Sequence, residues 1–429
     1  MATIHVAQIQ RLRCYEEPNG SLGVDHTGTI ADFFDVPAIE GTVECKLEQP
    51  MIESKYLRQN RDDHAVEILG VKKAQLVFSI PFFLPTLRSA AGGSPVAIVD
   101  SPATKLLATW MGGHTLGTSM DANAGCTVSA LATSDFANAA EGCGVAWADT
   151  AGVMYAREAV TVATDLVTID QALPSAPVAA DYLYRSIDLY LANRVTANVK
   201  SYQFLVEGAD TNHDCWLLRG GQCITAPTFE FKPGERPTIK FTIDFATWDN
   251  KHELVTGIHN VTYTNIGEQM VSDGRFTAFA INVAAPDTPV ALQSCIPASE
   301  ISFDFANSKY VAVTGPCGTN TIAAYVMSGE SPKIRGKFRV PLEEGDTTWS
   351  ALRDAKTSIS INFQIGSSES TGCILICIGC AQVTNWEITR ANGIVEQEIS
   401  WAAKLDPMHT TGVDTATELA NSPVKIHVF

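Results

Sequence analysis

Charge is what this chain has least of. Lys, Arg, Asp and Glu make up 18% of its 429 residues, against a usual share of about a quarter, while the apolar share of 45% is ordinary. So sparsely charged a surface implies that other subunits cover much of it. Basic residues are scarcer still, 30 Lys and Arg against 47 Asp and Glu, for a formal net charge of −17. Wrapping nucleic acid needs clustered Lys and Arg that release counterions from the phosphates, so the balance argues against that class. Long apolar runs are missing too. The longest, such as CILICIG (Cys373–Gly379), fall far short of the roughly 20 residues needed to cross a bilayer. The opening stretch, MATIHVAQIQRLRCYEEPNG, lacks the basic start, apolar block and small-residue cleavage site of a signal peptide. A protein made in the cytoplasm, with no membrane partner, is expected. The 11 cysteines follow no regular framework, and a chain of this length needs no disulfides to hold a core, so reduced thiols are expected.

Motifs for catalysis are absent as well. The sequence holds no G-x-x-x-x-G-K-[ST] to cradle phosphates, no G-x-G-x-x-G after a strand and no G-x-S-x-G elbow. HELVTGIH (His252–His259) has its second His seven residues on rather than four, so the two would not share a helix face; it reads as a polar loop. Cys377-Ile-Gly-Cys380 has C-x-x-C spacing, yet it sits in an apolar run with no second pair at ligand spacing and no His nearby in the sequence. Buried structural thiols are expected there, rather than a zinc or redox site. The acidic run Leu342-Glu343-Glu344-Gly345-Asp346 suits a solvated turn leading into a helix N-terminus. No catalytic residue, metal site or cofactor is expected, and the chain reads as a non-enzyme.

What the chain does have is a strand written twice. KAQLVFSIPF (Lys73–Phe82) returns as KIRGKFRVPL (Lys333–Leu342). Lys, Phe and Pro recur in place, and Ala74, Leu76, Phe78 and Ile80 share their parity with Ile334, Gly336, Phe338 and Val340. Periods of this kind mark internal repeats. SKY recurs upstream (Ser54–Tyr56, Ser308–Tyr310) as a weaker anchor, since its first copy suits a helical turn as well as a strand. Downstream of each strand comes a short helix. SPATKLLATWMGG offers Ser101 as N-cap, Pro102 at the first position and Gly112–Gly113 as a stop. GDTTWSALRDAK offers Asp346 as its cap. Narrow apolar stripes, Leu106, Leu107, Trp110 and Met111 in one and Trp349, Leu352 and Ala355 in the other, would lie against a sheet.

Further on, DCWLLRGGQC (Asp214–Cys223) is answered by GCILICIGC (Gly372–Cys380), and a hairpin follows each. In TFEFKPGERPTIKFTIDFATW the turn is Pro233–Gly234, and Ile239, Phe241, Ile243 and Phe245 alternate with Lys240, Thr242 and Asp244. In NWEITRANGIVEQEISWAA the turn is Asn392–Gly393, a strong hairpin signal, and Val395, Ile399 and Trp401 face away from Glu396, Glu398 and Ser400. Between helix and apolar strand the first copy carries an extra stretch at about 112–199, read as an insertion with a strand pair around VTVATDLVTI and YLYRSIDLYLANRV. The domains expected are 1–292, with this insertion, and 293–429.

This order of elements, strands, one packing helix, more strands and a closing hairpin, all twice, resembles the tail tube protein of long-tailed, non-contractile bacteriophages, in particular the kind with two tube domains per chain. FEFKPGERPTIKFTIDF and VTIDQALPSAPVAADYLY are phrases similar to those such sequences contain. The resemblance implies a mainly β fold of two tandem β-sandwich domains, each flanked by a short helix. Neighbouring domains would join their inner sheets into a continuous β-barrel around a lumen that carries DNA. Three fused chains would then do the work of six, as a pseudo-hexameric ring stacked into a tube. The implied partners are further copies of the chain, the tape measure, terminator and distal tail proteins, and DNA passing without specific binding. The implied location is the virion tail, after synthesis in the host cytoplasm.

Ring closure would also cover the exposed edge strands that make an isolated sandwich prone to aggregate. The loop resembling the family's ring-stacking loop contains Arg58, Gln59, Asn60, Arg61, Asp62 and Asp63, with Thr314–Thr321 as its counterpart. Candidates to line the lumen are Lys240, Thr242, Asp244, Glu396, Glu398 and Ser400, with a modest acidic excess expected. Two alternatives stand beside this reading: a distal tail, baseplate or injection-machine ring protein, and a β-rich cytoplasmic enzyme or ligand-binding module with a cleft of shifted-pKa groups.

Overall fold

The computed structural model describes residues 3–5, 9–18, 22–24, 33–49, 51–52, 68–69, 72–82, 100–118, 120–135, 139–163, 165–191, 201–208, 215–231, 235–250, 276–283, 290–293, 300–306, 310–314, 322–327, 333–342, 347–369, 372–391, 394–404 and 416–429. The chain is mainly β, in several antiparallel sheets. It opens with β1 (Thr3–His5), β2 (Ile9–Glu16), β3 (Phe34–Val36), β4 (Glu44–Glu48), the pair β5 (Met51–Ile52) and β6 (Ile68–Leu69), and β7 (Lys73–Pro81). Helix α1 (Pro102–Met111) follows. Then come β8 (Gly112–Leu116), β9 (Met120–Asp121), β10 (Ala130–Ala132), β11 (Gly144–Ala148), β12 (Met154–Ala163), β13 (Leu166–Ile169), β14 (Tyr182–Arg185) and β15 (Ile187–Leu191). The chain returns through β16 (Tyr202–Gly208), β17 (Cys215–Gln222), β18 (Thr228–Glu230) and β19 (Thr238–Asn250).

A second run has β20 (Phe276–Val283), β21 (Val290–Gln293), β22 (Glu300–Ala306), the pair β23 (Tyr310–Thr314) and β24 (Ile322–Met327), and β25 (Lys333–Pro341). After α2 (Thr348–Ala355) come β26 (Ser358–Ser368), β27 (Gly372–Ala391), β28 (Ile394–Ala403), α3 (Ala416–Ala420) and β29 (Lys425–Val428).

The two strands that share a sequence occupy matching places. One sheet runs β4-β7-β19-β17-β16-β2-β3, with β1 added outside β4; the other runs β22-β25-β28-β27-β26-β20-β21. Paired off in chain order from β2 and β20, these strands stand in the same order. Each of β7 and β25 is followed by a helix, and each is preceded by a separate two-stranded hairpin, β5–β6 or β23–β24. The second sheet draws strands from Phe276 onward, so β20 and all of β21 but its last residue, Gln293, fall before residue 293. Both registers follow the expected parity: Phe78 pairs with Phe241 and Ile80 with Ile239, while Phe338 pairs with Ile399 and Val340 with Gln397. A slip of one residue would turn each of these side chains to the other face.

One apolar core takes in both sheets and both helices. Phe78 stacks on Phe241 with ring centroids 5.7 Å apart, and Phe204 meets Phe245 edge-on at 5.6 Å. Helix α1 starts as expected. The Ser101 side chain accepts from the Thr104 amide, Pro102 opens the helix, and Gly112 closes it at φ 79°, a left-handed conformation that glycine adopts without strain. A narrow stripe is not what it buries, however. Every residue of α1 except Lys105 is buried, because the inserted strands β8 and β15 cover the side that the first sheet leaves open. Helix α2 has no such cover: it packs on β27 and buries only Trp349 and Leu352, leaving Ala355 exposed. Its N-cap is Thr347 rather than Asp346, and no side-chain capping bond forms.

The insertion forms a sheet of its own, β10-β13-β12-β11-β14-β9, with an apolar centre around Trp147, Val167 and Leu183. VTVATDLVTI is one hairpin, β12 into β13, while YLYRSIDLYL breaks at Ser186 into β14 and β15. Strand β15 leaves that sheet and pairs with β8 and β29, and β29 in turn pairs with β27. The insertion is thereby tied into the second large sheet.

Candidate functional site

Alternation puts the polar residues of β7, β19, β25 and β28 on the face opposite the core, where charges arrange themselves by strand. On the first sheet Glu48 stands opposite Lys73, Lys46 opposite Gln75, Thr242 opposite Val77 and Lys240 opposite Ser79. Gln75 donates to Asp244 at 3.0 Å, and partial burial pushes the Asp244 carboxyl upward. Lys240 is exposed and Thr242 half-buried.

On the second sheet the register places Asp304 opposite Arg335 and Glu300 opposite Arg339, with Glu398 on the other side of Arg339 and Ser400 beside Lys337. Arg339 donates to Glu398 at 2.7 Å and Lys337 lies 3.6 Å from it, and these cations hold its carboxyl below the usual range. This face is therefore basic along β25, with Glu398 of β28 set against Arg339 and Lys337. Glu396 shares the parity of Glu398 but is buried, with only 7% of its surface exposed, at mid-sheet between Pro341 and Thr389. Five of the six lumen candidates thus reach the surface of the isolated chain, and Glu396 does not.

The loop candidates Arg58, Gln59, Asn60, Arg61, Asp62 and Asp63 lie outside the described residues, as do the HELVTGIH stretch, residues 315–321 and the first SKY. Their flanks are described: β5 pairs with β6, and β23 with β24. At the far end of the β27–β28 hairpin, apolar side chains run past the core. Ile388 is 54% exposed and Val395 37%, on the parity that is buried further back as Ile399 and Trp401. There Trp386 donates from Nε1 to the Gln397 Oε1 at 2.8 Å, which satisfies a buried amide.

A second constellation escaped the sequence reading. Strands β12, β15, β27 and β29 bring Glu158, Asp188, Cys377, Lys425 and His427 together in a buried polar cluster where the insertion meets the second sheet. Asp188 stands opposite His427 in the β15–β29 ladder. Its Oδ1 accepts from the Gly144 amide at 2.9 Å, lies 2.8 Å from His427 Nδ1 and takes the Ser186 hydroxyl, while its Oδ2 takes Arg185 at 3.3 Å. Burial alone would raise the Asp188 carboxyl, but His427, Arg185 and Ser186 outweigh it and hold it low.

Lys425 pairs with Glu158, whose amide donates to Asp170 at 2.9 Å; Asp170 also takes the Asn362 amide. Burial first, and the Glu158 charge second, push Asp170 up to about 6. Gly144 stands where a Cβ would come 2.4 Å from Ser186 Oγ and 2.7 Å from the His427 Cβ, so only glycine fits. The sequence signal was present in YRSIDLYL, where Arg185, Ser186 and Asp188 interrupt an apolar run, but their partners lie far along the chain. Cys377 has His427 close by after all, brought by β29 rather than by sequence spacing.

The remaining chemistry is sparse. No disulfide forms among the described cysteines, and burial pushes Cys45 and Cys215 up to about 12 and Cys377 well upward, which makes them poor nucleophiles. A cleft of about 350 Å³ on the insertion is lined by Trp147, Tyr182, Tyr184, Asp149, Asp181 and Glu369. Its carboxylates already accept from the protein: Asp181 from Trp147 Nε1, Asp149 from the Val153 amide, Glu369 from the Tyr184 hydroxyl. Compared with models of known protein families and with curated proteins, the chain matches none.

Proposed function

We propose that this chain is the tube subunit of a long, non-contractile phage tail: a structural virion protein, not an enzyme, whose two tandem sandwich domains join edge to edge in a three-chain ring. Rings stack through the loops between β5 and β6 and between β23 and β24, and DNA passes through the lumen. The observation that carries the reading is the shared strand order of the two large sheets, with β7 and β25 in matching positions. Two nearly equivalent units in one chain supply two junctions per chain, which is what pseudo-six-fold closure by three copies needs.

Two further features support it. The outer edge of β22 pairs with no strand among the described residues, a template for a neighbour's strand. Ile388 and Val395 leave apolar surface at the end of a long hairpin, where a second subunit would cover it. The face of β25 and β28 is the lumen candidate; bound water and ions between its acidic and basic side chains would let DNA slide without being gripped. Other tail proteins, the tape measure, terminator and distal tail among them, would meet the ends of such a tube.

Negative-stain microscopy and native mass measurement of the purified chain test this directly. Rings of three chains with six-fold appearance, or hollow tubes, are expected. Compact monomers or dimers at high concentration, or a six-chain ring, would overturn it.

A further inference from the structure

The buried cluster contains a set of donors with the chemistry of a metal site. One ring nitrogen of His427, the Cys377 thiol sulfur and a carboxylate oxygen of Glu158 lie within 4.8 Å of one another, and all three residues are buried. Each comes from a different strand, β29, β27 and β12. His427 is fully buried, and its Nε2 has no hydrogen-bond partner among the described residues. Its other nitrogen is committed to Asp188 at 2.8 Å. A buried imidazole whose Nδ1–H donates to a carboxylate presents a bare, oriented Nε2 lone pair. That is the arrangement in which histidine binds metals, the carboxylate fixing the tautomer and raising the basicity of the ligand. Leaving such an atom unsatisfied in the core is unfavourable.

We propose that Cys377, His427 and Glu158 bind a zinc ion that joins the insertion to the second large sheet. One sulfur, one imidazole and one carboxylate suit Zn²⁺, which takes S, N and O donors in a tetrahedral shell; magnesium and calcium prefer oxygen alone. Ligands about 2.0–2.3 Å from a tetrahedral ion stand roughly 3.3–3.7 Å apart, so donors within 4.8 Å of one another need small side-chain rotations to reach it. Lys425 does not exclude the ion: the Glu158 carboxylate that it pairs with also takes the Cys377 thiol, whose proton the ion replaces, and Asp170 and Asp188 add further negative charge. On binding, the Sγ–H bond of Cys377 is replaced by a Zn–S bond, and the proton leaves to solvent, one per ion. Three protein donors leave one tetrahedral position to a water that enters with the ion, and because the ligands come from three different strands the ion's work is to hold those strands together.

The full chain, purified without chelator, is to be analysed for zinc, and also expressed in cobalt-supplemented medium. About one zinc per chain is expected, along with a thiolate-to-cobalt charge-transfer band in the near ultraviolet for the cobalt form. Cys377→Ser should abolish the band, and Cys377→Ser or His427→Gln should bring zinc to background; Cys380→Ser, which alters a buried thiol on the same strand, should keep both. Should the variants fail to fold, the wild-type chain decides alone. Background metal both as isolated and after refolding with zinc, or a cobalt form without the thiolate band, would overturn the proposal. So would full zinc content in a folded Cys377→Ser chain.

Discussion

Phe338 on β25 meets Trp349 on α2 edge to face, ring centroids 5.2 Å apart and planes at 73°. The pair fixes the helix on the repeated strand, and both side chains are among the largest that are fully buried. Because α2 buries only Trp349 and Leu352, little else holds it there. Trp349→Ala should therefore destabilise the chain by about 3–5 kcal/mol, the usual cost of emptying a large aromatic site. Denaturant unfolding would measure it, and a loss below 1 kcal/mol, as for an ordinary surface change, would show that α2 is not needed.

Gly144→Ala should be costly in a different way. The new methyl would press on Ser186 and His427 and break the bonds that Asp188 collects. Overpacking of this kind costs about 1–3 kcal/mol. Thermal unfolding of the variant checks it; no change would show that the strands shift apart freely.

Asp170 gives stability a pH slope. Burial holds its carboxyl at about 6, against 3.8 for the unperturbed group, so between those values the folded chain binds more protons than the unfolded one. Stability then falls as pH rises through that window, by at most about 3 kcal/mol, and stays level above it. Asp170→Asn should flatten the slope, since an amide at that position does not titrate. Asp188, held low, acts in the opposite sense: its stabilisation is full above the unperturbed 3.8 and is lost as pH falls from there to its own depressed value. Unfolding curves at a series of pH values separate the two.

How much of this was legible in the sequence depended on distance along the chain. The parity of Ala74, Leu76, Phe78 and Ile80 and the caps of α1 are local patterns, and they read correctly because neighbouring side chains carry the whole signal. The burial of α1 on nearly every side was not legible, since strands from the insertion supply its outer cover. The burial of Glu396 was not legible either: alternation sets the face it shares with Glu398 and Ser400, but not how closely its neighbours across the sheet, Pro341 and Thr389, pack around it. The Asp188–His427 pair spans 239 positions, and no local pattern announces a contact of that reach.

Charge on the β25–β28 face should set how freely DNA moves if that face lines a tube. Glu398 offsets Arg339 and Lys337. Glu398→Gln removes the negative charge nearest both cations, so tubes should hold DNA more tightly at low salt, and the difference should fade as salt rises. Filter binding of double-stranded DNA across a salt series would read it; equal retention by both proteins would remove β28 from the lumen.

Deleting Gln59–Asp63 should leave single rings and shorten or abolish tubes, since stacking is assigned to that loop. Electron microscopy distinguishes the outcomes. Tubes of unchanged length would place the ring contacts elsewhere.

Strand β29 sits between β15 and β27, with Ile426 opposite Leu189 on one side and Ile376 on the other. A chain emerging from the ribosome meets these strands in order, and β15 and β27 wait unjoined until residues 425–428 are made. Domains otherwise tend to fold as they appear. Here residues 425–428 supply the strand between β15 and β27, so that part of the seam between the insertion and the second sheet closes only after they are made.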